Sequence, residues 1–573
     1  MPLLKRSSTI IALALLGIIS LVIIAGFFYG FWSLDTNRVW LSILLAGLYL
    51  ALLIYFLFYF RGSKTEAGLR ESILVTEHRT VFIMFIGNIL FVLLFTFLAI
   101  FFLSNRFGKK SDEEIVSTYL DQIRNNRSSL TGFFKEMPKG GDLHHHFTGS
   151  IFAETYWDAL VERDGWINLI TLEVDTPGVK KGEGWKTCSQ LMAAKQLPYY
   201  KQKVIQQWSV KDYHSALSPS DKHFFDAFDK FRPMANLLLE PGLREIKDRA
   251  LSEHVSYIET MLTSFDTAIV LPDESKWILM FRSFSPMTDV SALKDSFNVL
   301  FKEYKDKNIE KAATTFCAKI EEVHNSLKLD DSRFTIRYLT YGNRIAEPLP
   351  VFRRLLLAFE SAQRSGLIVG VNFVSPEDNA VSMRDYTLHM RMFEFFRSKY
   401  PDVKVSLHAG ELTPGLIKPE LLKSHIQEAV RVAKADRIGH GVDIASEENY
   451  AETLKEMKTD SIAVEINLVS NEFILKVKDD AHPILLYYKN GIPIVLSTDD
   501  AGILRTDLTT QFILAASRYP TLSYRDIKAF VRNSIIYSFI EDEKLKTRIL
   551  KEIDESFTEF EQRIRKRIEQ EKK

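Results

Sequence analysis

Residues 404–412 read KVSLHAGEL. The apolar positions of 403–407 predict a short buried strand that runs directly into His408, Ala409, Gly410 and Glu411. A histidine and a glutamate therefore stand three residues apart at the mouth of a strand, with Ala409 and Gly410 between them. Small residues leave room for a ligand, and a His/Glu pair there can hold a metal and move a proton. The structural alternative has His408 capping a strand and Glu411 solvated. The choice depends on what other strands bring to the same end.

Further β-rich runs lie at 142–146, 255–259, 334–339, 367–373, 437–439, 461–466 and 492–497. Apolar helical segments such as 351–363 and 421–433 lie between them. Strands alternating with helices imply parallel pairing, and eight such units fit an α/β fold, a (β/α)₈ TIM-type barrel with helical insertions, expected over 137–540. Two stretches, 151–253 and 261–333, exceed a simple crossover and are expected to build extra helices over the barrel mouth. Residues 105–136 are expected to form a helical linker, and 541–573 an amphipathic C-terminal helix. That last helix carries Leu545, Ile549, Ile553, Phe557, Phe560, Ile564 and Ile568 at helical spacing. It would pack on the barrel exterior or, alternatively, meet a membrane surface or a partner. There is no internal repeat and no low-complexity segment.

The chain has 573 residues, with 73 basic and 73 acidic side chains. Without a basic excess to meet phosphates, a nucleic-acid-binding role is disfavoured. Two cysteines, Cys188 and Cys317, cannot build a disulfide scaffold or a zinc ribbon. Composition is uneven. Three runs in the first hundred residues, 9–32, 39–60 and 80–103, are almost uncharged and long enough to cross a bilayer. They predict a membrane domain over 1–104, with Asn88 as a helix-contact residue. With the N-terminus inside, Lys5, Arg6, Arg61, Lys64, Arg70 and Arg79 face Arg38, Arg106, Lys109 and Lys110, six positive residues against four. The positive-inside rule then gives an integral membrane protein, of bacterial inner-membrane type, with its large domain on the extracytoplasmic side and the lipid bilayer as a partner.

Chemistry-bearing residues recur at the predicted strand ends. In HHHFTGS (144–150), His144 and His146 are separated by one residue, so a strand points both to one face, while His145 points away. His408 ends the fifth strand. RIGHGVD (437–443) places His440 between two glycines at the end of the sixth. IVLSTDDAG (494–502) puts Asp499 and Asp500 after the eighth. Barrel active sites are built at this end of the strands. Three histidines and an aspartate suit one Zn²⁺ with room for water, whose pKa the metal lowers toward neutrality. Glu411 can then relay protons and His440 can orient the attacking oxygen.

MPKGGDLHHHFTGS (137–150), SLHAGEL (406–412), RIGHGVD and LSTDDAG (496–502), in this order, resemble the adenosine/AMP deaminase branch of the metal-dependent amidohydrolases. FFDAFDKF (224–231) and YIETM (257–261) also resemble family segments. MPKGG and SNEFIL (470–475) look most like the growth-factor type of adenosine deaminase and its bacterial relatives. The resemblance covers about 137–510. It implies one zinc per chain on His144, His146, His408 and Asp499, a proton shuttle at Glu411 that also bonds purine N1, an orienting histidine at His440, and purine N7 contact by Asp500. Thr148, Gly149 and Ser375 fall at further substrate-contact positions. Two of these depart from the family: Thr148 stands where an acidic residue meets the ribose 5′-hydroxyl, and Ser375 stands in place of a purine-contacting glycine. The implied reaction is hydrolytic deamination of adenosine, or a close relative, to an inosine-type product and ammonia. The alternatives are a different or modified amino-purine, or a catalytically silent nucleoside-binding membrane protein.

Overall fold

The computed structural model describes residues 110–178, 181–235, 237–264, 269–285 and 288–571. Every element below belongs to the unit Asp112–Lys573. Eight parallel strands form one sheet: β1 (Gly140–His146), β2 (Val255–Met261), β3 (Thr335–Asn343), β4 (Ile368–Val374), β5 (Lys404–Ala409), β6 (Arg437–His440), β7 (Ala463–Ile466) and β8 (Ile494–Leu496). They pair in chain order. The sheet then closes on itself, because Asp499 N–H donates to the His144 carbonyl at 2.8 Å and His146 N–H donates to the Asp499 carbonyl at 3.1 Å. The result is a TIM barrel whose seam lies at three residues expected to hold a metal, His144, His146 and Asp499.

Strand composition explains the closure. β4 reads IVGVNFV and is buried at every position, as a strand covered on both faces must be. Helices such as Pro348–Arg364 begin with proline at the first turn, where its missing N–H costs nothing, and bury one apolar face on the sheet. β7 and β8 start two residues later than their apolar runs. Ser461 takes φ 56° and Ile462 N–H closes back on the Met457 carbonyl, so helix-end geometry consumes the start of the first run. Ile492 N–H likewise returns to Tyr487, after Gly491 caps the preceding helix in the left-handed region.

The two long insertions differ in placement. Within 151–253, the helix Ser220–Ala235 packs on Leu468–Leu475 and Phe147–Ser150, which follow β7 and β1, so it lies over the mouth. A small antiparallel sheet of Trp166–Asn168, Val174–Asp175 and Trp185–Thr187, which the sequence pattern did not suggest, sits in the same insertion. The helices of the second insertion, Ser275–Arg282, Val290–Asp306 and Ile309–Ser326, instead pack on Pro348–Arg364 and Ala380–Lys399 in the outer layer. At the chain's end, Glu543–Glu571 buries Ile549, Ile553, Phe557, Phe560 and Ile564. It packs against Asp112–Ile123 and Tyr524–Ile536, and Phe560 meets Phe133 of Arg127–Glu136 edge-on at 5.1 Å.

The expectation of a barrel preceded by three transmembrane helices is corrected. Among the described residues no helix is long and apolar enough to cross a membrane. Charge keeps the described helices of spanning length from qualifying: Ala380–Lys399 carries Arg384, Asp385, Arg391, Glu394, Arg397 and Lys399. The predicted spans 9–32, 39–60 and 80–103, and with them Asn88, lie outside the described residues. The architecture of the described residues is the barrel with its insertions, which gives no support to the integral-membrane assignment, its sidedness or the bilayer partner.

Candidate active site

The C-terminal ends of β1 and β5 bring three imidazoles together. His144 Nε2 and His146 Nε2 lie 3.0 Å and 3.1 Å from His408 Nε2. Asp499 Oδ1, just beyond β8, is 3.2 Å from His146 Nε2 and 3.6 Å from His144 Nε2. These four ligand atoms all fall within 4.8 Å of one another. His145 faces the other way, toward the Thr260 hydroxyl at 2.9 Å, helped by a register shift between Asp142 and His145.

The donor chemistry of the cluster fits a cation. His144 Nδ1 lies 2.7 Å from Glu465 Oε2, and His408 Nδ1 lies 2.8 Å from Asn372 Oδ1. Both partners accept, so each Nδ1 carries the hydrogen and each Nε2 presents a lone pair. Two lone pairs 3.0 Å apart in a buried site repel unless a cation lies between them. A proton is the competing occupant. Burial opposes protonation of His144, but the Glu465 hydrogen bond and the charges of Glu465 and Asp499 outweigh it and raise its pKa above 6.5. For His408, burial followed by the charges of His144 and His146 pushes the pKa well below 6.5.

Glu411 and His440 stand beside this cluster, with His440 Nε2 3.7 Å from Glu411 Oε1. Glu411, His440 and Asp499 offer ligand atoms within 4.8 Å of one another. Burial, then the charges of Asp499 and Glu377, drive the Glu411 carboxyl well above its ordinary 4.5, so it holds a proton in a place where a solvated glutamate would not. Asn471 donates its amide to His440 Nδ1 at 2.9 Å, which leaves Nε2–H as a donor with no hydrogen-bond partner among the described residues. Asp500 is buried, and burial together with the adjacent Asp499 raises its carboxyl well above 3.8. Its position requires Gly149: a Cβ there would stand 1.5 Å from Asp500 Oδ1. The Thr148 carbonyl accepts from Tyr156 Oη at 2.9 Å, and Thr148 is half-buried. Ser375, His440 and Asp499 occupy the left-handed region at φ 88°, 66° and 64°. Each sits at a strand's C-terminal end, and strain of about 1–3 kcal/mol per residue is typical of sites whose side chains must be aimed.

Several buried groups escaped the sequence reading. Arg437 on β6 reaches across the barrel to Glu259 on β2 and to Glu465 on β7, both at 2.5 Å. The guanidinium charge and the His144 hydrogen bond outweigh burial and hold Glu465 at about 2. Asn372, Arg344, Glu377 and Asn471 back the other site residues. Arg437, Glu259 and Asn471 lie inside RIGHGVD, YIETM and SNEFIL, but nothing there marks them as backing groups; a polar residue inside an otherwise apolar strand, as with Asn372 or Glu465, was the available signal.

The adenosine deaminase family model matches residues 310–556, which carry His408, Glu411, His440, Asp499 and Asp500. Over that stretch the chain is similar to the adenosine deaminase family. An adenosine deaminase of Plasmodium gallinaceum is 32% identical over 136 residues, 24% of this chain and 35% of that one. One from Shewanella pealeana is 30% identical over 152 residues, 26% of this chain and 42% of the relative. The matched stretch thus spans well under half the length of these adenosine deaminases. The adenine deaminase of Arthrobacter aurescens aligns at 16% identity over 74% of this chain and 99% of its own, with a TM-score of 0.46. The N6-methyl-AMP deaminase of Arabidopsis thaliana aligns at 20% identity over 75% and 99%, with a TM-score of 0.47.

Proposed function

We propose that this chain is a zinc-dependent hydrolytic deaminase of adenosine or a closely related amino-purine nucleoside, releasing ammonia. The observation that carries the reading is the convergence of His144, His146, His408 and Asp499 beside Glu411 and His440. The match of residues 310–556 to the adenosine deaminase family model supports it. His144, His146, His408 and Asp499 would hold the metal, a nitrogen-rich set suited to zinc with an open position. When bound, the ion supplies a Lewis acid that makes a neighbouring water nucleophilic near neutral pH.

The chain's own groups do the rest. Glu411 Oε carries a proton that can pass to the purine ring nitrogen as C6 is attacked, and the carboxylate so formed can take one from the incoming water. His440 Nε2–H, fixed as a donor by Asn471, orients the attacking oxygen. The raised Asp500 carboxyl can donate to a second ring nitrogen. Burial of every one of these groups excludes bulk water and strengthens each hydrogen bond.

A different amino-purine substrate is favoured by Thr148 and Ser375, neutral residues at positions where the resemblance implies an acid and a glycine. The test is ammonia release from a panel of adenosine, 5′-substituted adenosines, N6-modified nucleosides and adenine, with metal analysis of the same protein. One zinc per chain and turnover of at least one amino-purine is the expected result. Protein without divalent metal, or without ammonia release from any of them, overturns the reading.

A further inference from the structure

Glu377 lies in the segment after β4 and is wholly buried, yet no substrate-facing role falls to it. Its Oε1 accepts from Gly410 N–H at 3.1 Å and its Oε2 accepts from Glu411 N–H at 2.9 Å. His425 Nδ1 meets Oε1 at 2.6 Å, and Arg344 Nη1 lies 3.4 Å from Oε2. Arg344 in turn donates through Nη2 to the carbonyls of Phe373 at 2.8 Å and His408 at 2.7 Å. His425 is itself fixed, stacked on Tyr386 with ring centroids 3.6 Å apart.

We propose that Glu377, locked by Arg344 and His425, is a positioning residue that sets where the Glu411 carboxyl lies. The inference rests on the deaminase reading and deepens it. One carboxylate that captures two consecutive N–H groups fixes the peptide plane immediately before the Glu411 side chain. The turn has little freedom to find another arrangement: Gly410 sits at φ 75°, and a Cβ there would lie 2.4 Å from Asp443 Oδ1. Arg344 ties the same carboxylate to the His408 carbonyl, so the ligand histidine and the proton carrier are referenced to one buried charge. No solvent can replace the lost acceptor in a wholly buried site, so removing Glu377 strands two N–H groups and the Arg344 charge. A misplacement of Glu411 by about 1 Å is enough to cost about 100-fold in rate.

The test compares wild type with Glu377→Gln, which keeps the size and one acceptor oxygen but loses the charge. Should the thermal transition show that Glu377→Gln folds poorly, Glu377→Asp, shorter by one methylene, carries the same measurements. Amide exchange in a peptide spanning 408–412 is expected to rise about tenfold or more, with exchange in 140–147 unchanged. With the best substrate of the panel, kcat is expected to fall by about 10–100-fold and KM to stay within about threefold, at unchanged zinc content. In a Glu411→Asp background the same substitution is expected to cost less than about threefold, because its effect runs through Glu411. Unchanged exchange, an unchanged kcat, loss of zinc in step with kcat, or losses that multiply fully in the double variant would each overturn the proposal. Wild type that releases no ammonia overturns the deaminase reading instead, and the exchange measurement still decides whether the clamp exists.

Discussion

β1 and β5 each deliver a histidine to the cluster, but the two are held by different chemistry. His144 is backed by an ionised chain, Glu465–Arg437–Glu259, that crosses the barrel interior. His408 is backed by a neutral amide, Asn372, with the Arg344 guanidinium on its own carbonyl. A carboxylate partner makes an imidazole a stronger base and a better ligand; an amide only fixes its tautomer and angle. Under the proposed function, the β1 side would tune the electron density offered to a metal, and the β5 side would tune where Glu411 stands.

Breaking the β1 backing at its centre has the largest expected effect. Arg437→Met leaves Glu259 and Glu465 buried without their cation, and is expected to cost about 3–5 kcal/mol of stability, read as a lowered thermal midpoint. Glu465→Gln keeps the shape but loses the charge on His144. Metal affinity, measured by competition with a chelator, is expected to fall about 10–100-fold with the fold intact. Asn372→Ala removes one neutral hydrogen bond worth about 1 kcal/mol, so metal affinity should fall less than about tenfold. A larger loss from Asn372→Ala than from Glu465→Gln would invert the comparison.

The smallest effect is one of pH. Arg437, with His144, holds Glu465 at about 2 despite its burial, below the 4.5 of an unperturbed glutamate. His425, followed by Arg344, holds Glu377 at about 2 in the same way. A carboxyl depressed in the folded state stabilises it fully above the unfolded pKa, and that contribution is lost as pH falls through the folded value. Metal-free protein should therefore lose stability from about pH 4.5 down to about pH 2. The slope of chemical unfolding against pH should be shallower in Glu465→Gln, and an unchanged slope would remove Glu465 from the account.

The barrel was legible because several buried strands, such as Ile368–Val374 and Ile494–Leu496, are compact apolar runs that end in small or polar residues. The ligand candidates were legible because each sits at such an end: His144 and His146 on one face of β1, His408 at the end of β5, Asp499 after β8. Strand starts were less legible, since helix caps at Ser461 and Gly491 consume apolar residues that read as strand. Backing groups were not legible at all. Arg437 and Glu259 are 178 residues apart, and only closure of the barrel makes them neighbours. Glu377 acts on the Gly410–Glu411 turn from another strand's end, so nothing near KVSLHAGEL announces it.

The central claim is that the cluster at the mouth of β1, β5 and β8 carries out deamination through Glu411. The most direct test is the rate of ammonia release by zinc-loaded wild type and by zinc-loaded Glu411→Gln on the same amino-purine. A fall in kcat of about 10²–10⁴ at equal zinc content is expected. Equal turnover by the two proteins would contradict it.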